Sequence, residues 1–391
     1  MEASADLTPL REEVREFLRS ELSDDLRGRL RRGEFPSRSD IVSWQRKLHA
    51  RGWGAPNWSR AAGGTGWSDL QQLAFLEECS AAPAPPPHAF TITMLGPMLI
   101  EFASNAQKEF WLPKLVSADV LFCQGFSEPG SGSDLASLRT SAVRDGDEYV
   151  VDGQKIWTTS AHYADWIFCL VRTDPDAKKQ RGISFLLIDL KSPGISIQPI
   201  VSIDGRHSLN EVFFDQVRVP AGNLVGEENK GWDYARFLLG NERASIAGVG
   251  RTRERLEYAR ELAGRTFRDG RLIARTPWFR SEASQLEAEL EALNRTQYRM
   301  LGDAAVGPVQ KAQVASVLKV KGTELFQRVM HLLVEIAGPQ GLRMPSASGH
   351  SDDPRSPLGI AHLYSRAASI YGGANEVQKN ILAKHVFDTT P

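Results

Sequence analysis

The first segment equipped for chemistry is GFSEPGSGSD, residues 125–134, which sets the hydroxyls of Ser127, Ser131 and Ser133 among glycines. Closely spaced backbone N–H groups in such a turn can cradle a phosphate or bind the polar edge of a ring. Taken alone, an ordinary polar loop is the better reading, because glycine-rich turns are common. KIWTTS follows at 155–160, placing the aromatic plane of Trp157 beside the hydroxyls of Thr158 and Thr159 at the end of a strand-like run. Its plain alternative is a core tryptophan in a barrel. Two further segments are AGPQGL (337–342), after a long helical stretch, and SIYGGANEVQKN (369–380), opening the last one.

The elements that must position these segments fall into three parts. Residues 1–121 read as helical. Thr8 and Pro9 supply an N-cap and first-turn signal, and Leu10, Val14, Phe17, Leu18 and Leu22 recur at helical spacing. Asp40 is expected to open a second helix carrying Ile41, Trp44 and Leu48, with Gly52 closing it. AAGGTG (61–66) and AAPAPPP (81–87) read as turns or linkers. From 122 to 231 the texture is strand-like, in runs such as EYVVDGQKIWTTS, DWIFCLV, GISFLLIDL, ISIQPIVSI and EVFFDQVRV. Turns are expected at Asp145-Gly146, Asp152-Gly153 and Pro193-Gly194. That spacing predicts a compact β-domain, a barrel or sandwich. From 232 to 391 long amphipathic segments predict an antiparallel four-helix bundle, with SASGHSDDPRSP (346–357) as a surface loop. The fold class expected is therefore α+β: helical domain, β-barrel domain, helical bundle.

Composition excludes several functions. With 47 Lys+Arg against 48 Asp+Glu, the chain lacks the electrostatic footprint of a nucleic-acid binder. No apolar run is long enough to span a bilayer, and the acidic MEASADLTPLREE start lacks a signal core, so a cytoplasmic location is expected. Cys79, Cys123 and Cys169 are odd in number and lack metal-ligand spacing; free core thiols and no bound metal are expected.

These segments, in this order, resemble the FAD-dependent acyl-CoA dehydrogenases. GFSEPGSGSD is similar to the family's first signature and KIWTTS to its Trp-x-Thr flavin segment. EVFFDQVRVPAGNLVGEENKGW is similar to the exit from the β-domain, and IYGGANEVQ to the Tyr-Glu-Gly-Thr segment that usually carries the catalytic base. The resemblance runs from GWGAPNW (52–58) to the C-terminus, and four ordered motifs make it specific.

The resemblance implies FAD lying between β-domain and bundle. Ser127 would meet the flavin pyrimidine edge and Ser133 the pyrophosphate. Trp157 would pack beside the isoalloxazine and Thr159 meet N5, with Thr158 between them and Gln124, Gly125 and Phe126 on the adjoining strand. A neighbouring subunit usually holds the adenine end. Arg268 falls at the position of an FAD-binding arginine, although RDGR lacks the phenylalanine that normally follows. Glu335, Ile336, Ala337, Gly338 and Pro339 match another adenine-side segment, and Ala374, Asn375 and Glu376 the last cofactor contacts.

The departure is at the base. Where Tyr-Glu-Gly-Thr has its glutamate, this chain has Gly372, while Glu242-Arg243 in FLLGNERASIAG stands where a minority of relatives place the base on a bundle helix. Abstracting a weakly acidic thioester α-proton needs a poised carboxylate, and burial would raise Glu242 toward that role. Its plain alternative is a surface carboxylate paired with Arg236 or Arg243. Gly372 keeps a backbone N–H able to polarise the thioester carbonyl, and Arg243 would orient the bundle around the base. Ser133, Gly240, Asn241, Glu242, Arg243 and Gly373 complete the expected acyl-CoA contacts.

The implied reaction is α,β-dehydrogenation of an acyl-CoA to the trans-2-enoyl-CoA, with electrons passing to an electron-transferring flavoprotein. The alternatives are a flavin monooxygenase or oxidase on the same fold, or a non-catalytic subunit supplying half a flavin site. A homo-oligomer, dimer or tetramer, is expected first. A heteromer with a smaller homologous chain is the second expectation, since NERASIAGVG and IYGGANEVQ also resemble the large subunits of bacterial pimeloyl-CoA dehydrogenases.

Overall fold

The computed structural model describes residues 6–241, 247–302, 306–342 and 358–387. Six α-helices open the chain: α1 Thr8–Glu21, α2 Asp24–Arg31, α3 Arg38–Ala50, α4 Asp69–Ala81, α5 Gly96–Phe102 and α6 Asn105–Val116. Three start on a serine whose hydroxyl and a side chain three residues on satisfy each other's backbone donors: Ser37/Asp40, Ser68/Gln71 and Ser104/Gln107. Asp40 therefore closes a capping box within α3 instead of opening the helix, which begins at Arg38. Thr8 is likewise already helical, with Leu7 as the N-cap, and its N–H goes to the Asp6 carboxylate at 3.0 Å. Gly52 closes α3 as expected, at φ 80° with its N–H on the His49 carbonyl.

Between α4 and α5, Ala89–Leu95 winds as a π-helix. The indole N–H of Trp58 donates to the Ile92 carbonyl at 2.8 Å. Trp58 fits only because residue 96 is glycine: a Cβ there would lie 2.0 Å from the indole ring.

The middle of the chain is a curled seven-stranded sheet. Its strands are β1 Phe122–Gly125, β2 Ser141–Asp145, β3 Glu148–Lys155, β4 Trp166–Arg172, β5 Ile183–Asp189, β6 Ile195–Val201 and β7 His207–Pro220. They run in the order β1-β4-β2-β3-β7-β6, with β5 on β4. The centres of β4 and β5 are largely apolar because both faces are covered. Phe168, Leu170, Phe185 and Leu187 join a core with the N-terminal helices, while Ile167, Cys169, Val171, Leu186 and Ile188 fill the inside of the curl. Asp152-Gly153 is not the turn its composition suggests. β3 runs through it with a register shift between Val151 and Gly153, and Gly153 stands at φ 145° against Thr140.

The C-terminal part comprises α7 Gly231–Asn241, α8 Val249–Ala263, a two-residue hairpin (β8 Phe267–Arg268, β9 Arg271–Leu272), α9 Pro277–Gly302, α10 Pro308–Ala337, α11 Leu358–Ser365 and α12 Asn375–Phe387. α10 is central, packed on α8, α9, α11 and α12. The expected surface loop at 346–357 lies outside the described residues. Arg206 joins all three parts: its guanidinium reaches the Gly33 carbonyl at 2.7 Å and Asp204 at 2.6 Å, and lies 3.9 Å from the Phe35 ring and 5.5 Å from that of Tyr364.

Candidate active site

β1 delivers the chain into the GFSEPGSGSD loop. Gln124, Gly125 and Phe126 lie along or just after that strand, with Gly125 packed against Ile167 and Cys169 so closely that no side chain fits. The loop then folds back. Glu128 and Ser131 exchange backbone hydrogen bonds at 2.9 Å, and the Ser131 hydroxyl donates to the Asp134 and Leu135 carbonyls. Ser131 is thereby used up in shaping the loop, while Ser127 is half-buried and Ser133 exposed. Nothing lies in front of Gly130 or Gly132, so the turn faces open space.

The second segment adjoins the first through the Ile156 N–H, which donates to the Ser127 carbonyl at 2.9 Å. Trp157 then adopts φ 59° and Ser160 φ 66°, left-handed conformations that non-glycine residues seldom hold without a functional reason. The turn is held by Asn210, fully buried on β7. Its carbonyl accepts the Thr158 N–H and its amide donates to the Thr158 carbonyl, both at 2.9 Å. That amide also bonds His162 at 3.2 Å, and its oxygen bonds His207 at 2.7 Å. Burial, and then the neighbouring His207 ring, lower the His162 pKa. The outcome is a tryptophan with 57% of its surface exposed, displayed next to a glycine–serine loop.

These residues fit a flavin. A strained turn presents an aromatic plane to solvent, two loop glycines leave the approach open, and the buried Thr158 hydroxyl has no hydrogen-bond partner among the described residues.

α7 packs on the same core. Ala235 and Leu238 are buried there with Phe122 and Phe126, and Phe102 meets Tyr234 and Phe237. Gly240 and Asn241 close the helix. Glu242 and Arg243 come next in sequence and lie outside the described residues.

The remaining segments gather on the C-terminal part. The Arg268 guanidinium donates to the Glu335 carbonyl and lies near Gly338, so the two segments expected at the adenine end are brought together with Pro339 next in sequence. Gly372 and Gly373 take φ 64° and 86°, forming a turn that leaves Ile370 and Tyr371 exposed ahead of Ala374. Asn375 is buried, its amide shared with Thr323 at 3.2 Å and its oxygen 3.4 Å from Lys319 Nζ, while Glu376 is exposed in the first turn of α12. No group of His, Cys, Asp and Glu suited to a metal occurs among the described residues.

Sequence reasoning overlooked the contacts beneath the loop. Lys155 is wholly buried with its Nζ 2.7 Å from Glu128, which also accepts the N–H groups of Arg139 at 2.6 Å and Thr140 at 2.9 Å. Burial alone would raise the Glu128 carboxyl, but Lys155 and these donors outweigh it and hold the group below the ordinary carboxylate range. Both residues sit inside the quoted motifs, and period-two alternation on β3 puts Lys155 on the face of Tyr149 and Val151.

Three family models cover nearly the whole chain: acyl-CoA dehydrogenase N-terminal domain over 4–119, middle domain over 123–217 and C-terminal domain over 229–387. The chain belongs to the acyl-CoA dehydrogenase family. It is 36% identical to the acyl-CoA dehydrogenase IpdE1 of Mycobacterium tuberculosis over 386 residues, covering 96% of this chain and 97% of that one. Among solved structures it is similar to the ChsE4-ChsE5 complex of Mycobacterium tuberculosis, with TM-score 0.85, 32% identity and coverage of 100% and 99%. The Tcur3481-Tcur3483 steroid acyl-CoA dehydrogenase gives TM-score 0.84 at 31% identity, covering 98% and 97%. As an acyl-CoA dehydrogenase the chain is a flavoprotein oxidoreductase, and no described helix is long and apolar enough to cross a membrane.

Proposed function

We propose that this chain catalyses FAD-dependent α,β-dehydrogenation of an acyl-CoA thioester, passing the electrons to an electron-transferring flavoprotein. The observation that carries the reading is the exposed, left-handed Trp157 tied to the GFSEPGSGSD loop. Ser127, Trp157, Thr158 and Thr159 would hold the flavin ring and Ser133 the pyrophosphate. Arg268, Glu335, Gly338 and Pro339 would meet an adenine end, and Ala374, Asn375 and Glu376 the last contacts. When bound, FAD supplies the acceptor for the β-hydride.

The chain's own part is proton removal and enolate stabilisation. Glu242, just beyond α7, takes the α-proton, with Arg243 orienting it. The Gly372 N–H, freed by a turn whose backbone no β-carbon hinders, donates to the thioester oxygen. Gly240, Asn241 and Gly373 line the acyl path. Similarity to a structure described as a steroid acyl-CoA dehydrogenase supports a bulky alicyclic acyl group as the substrate class, and two similar structures named as pairs of chains support a heteromer. Anaerobic titration of the flavoprotein with straight-chain, branched and ring-bearing acyl-CoAs tests this. Bleaching of the flavin by ring-bearing thioesters is expected, and absence of bleaching by any thioester would refute the reading.

A further inference from the structure

A lysine with no exposed surface is unusual on a strand, and Lys155 is wholly buried at the end of β3, on the face that also carries Tyr149 and Val151. Its Nζ donates to Glu128 Oε1 at 2.7 Å and to the Phe126 carbonyl at 3.3 Å. Glu128 in turn gathers the N–H groups of Arg139 and Thr140, and one residue beyond Lys155 the Ile156 N–H bonds the Ser127 carbonyl. Every one of these ties ends on residues 126–128 or 155–156. Ser127 and Trp157, the two residues that would grip the flavin ring, therefore stand immediately beside a single buried knot.

A buried ion pair is a poor way to gain stability, since apolar groups of the same volume do as well or better once desolvation is counted. What it provides is direction: charge-assisted bonds of fixed geometry, shared only with neighbouring backbone groups. Backbone strain at Trp157 supplies the reason for such a device, because a left-handed tryptophan persists only where its surroundings over-determine it.

We infer that Lys155 and Glu128 are positioning residues whose ion pair sets the spacing of the Ser127 loop against the Trp157–Thr159 turn, and so fixes the flavin's affinity and electronic environment. This rests on the flavin reading above. Neither residue touches the reacting atoms; both act through the segments they hold.

The double variant Lys155→Met with Glu128→Gln is decisive, because it removes both charges at matched volume and leaves no buried ion unpaired. It should fold, with far-UV circular dichroism and melting temperature near wild type. It should bind FAD roughly tenfold or more weakly, the scale of one lost charge-assisted bond, with a displaced visible flavin band and an altered reduction potential. Glu128→Gln alone should shift the same quantities in the same direction. A folded double variant with wild-type FAD affinity, spectrum and potential would overturn the proposal alone. Wild-type protein that takes up no FAD even when co-expressed with a homologous partner chain would overturn the flavin reading and the proposal with it.

Discussion

At residue 372 the backbone helps decide where the catalytic carboxylate can be. Gly372 stands at φ 64°, in a turn with Gly373 at φ 86°. A glutamate there would carry a left-handed strain of about 1–2 kcal/mol, so the turn as built favours a backbone donor over a side-chain base. Glu242→Gln should therefore keep flavin and acyl-CoA binding while losing at least ~10² in the rate of flavin reduction, the usual scale for a general base. Stopped-flow reduction under anaerobic conditions measures it, and a near-normal rate would transfer attention to Glu376. Returning the carboxylate, with Glu242→Ala and Gly372→Glu together, should recover only a small fraction of the lost rate because of the strain at 372.

At the scale of elements, the π-helix Ala89–Leu95 contacts both β1, which leads into the GFSEPGSGSD loop, and α7, which leads to Glu242. Gly96→Ala would drive a methyl into the buried Trp58 ring, 2.0 Å away. Overpacking of this kind should destabilise the protein by about 2 kcal/mol or more, measurable as a lowered denaturation midpoint. A second test is titration. The Phe122 N–H donates to the Thr91 hydroxyl at 2.9 Å, leaving that hydroxyl's proton for His88 Nδ1 at 2.7 Å, so the ring is neutral and burial holds its pKa down to about 4. Below about pH 6.5 the unfolded chain takes up a proton that the folded one refuses. The contribution is thus complete above that pH and is lost as pH falls toward 4. Urea midpoints for wild type should decline over this window more steeply than those of His88→Gln. Much of this layer was legible from sequence: helical spacing marked Val14, Leu18 and Leu22, and strand-like runs marked β3 and most of β7. The rest was not, because it depends on partners distant in the chain. Asp152-Gly153 reads as a turn until β7 pairs across it, and the Lys155–Glu128 pair forms only when the fold brings these two segments together.

At the scale of the whole molecule, the chain exposes large apolar side chains beside the segments matched to cofactor. Phe267 is 69% exposed next to Arg268, Leu342 66% exposed just past Gly338 and Pro339, and Ile370 69% and Tyr371 49% exposed ahead of Gly372. Apolar surface gathered at functional segments marks a face that something covers. Arg268 is already engaged with the Glu335 carbonyl of its own chain, so it reaches outward as part of a built edge rather than as a free arm. Since oligomers bury such edges against a matching surface, the functional unit should contain more than one chain of this fold, and the heteromer proposed above is the arrangement to test. Expressed alone with FAD, the protein should be flavin-poor by absorbance or aggregated by light scattering. Co-expressed with a smaller homologous chain, it should elute as a single flavin-bearing complex with tightened FAD retention. Replacing Ile370 and Tyr371 by Ser should weaken that complex while leaving the circular dichroism of the isolated chain unchanged, because neither side chain belongs to a buried core. A monodisperse, fully flavin-loaded monomer that still oxidises acyl-CoA would show that these residues face the cofactor and substrate alone.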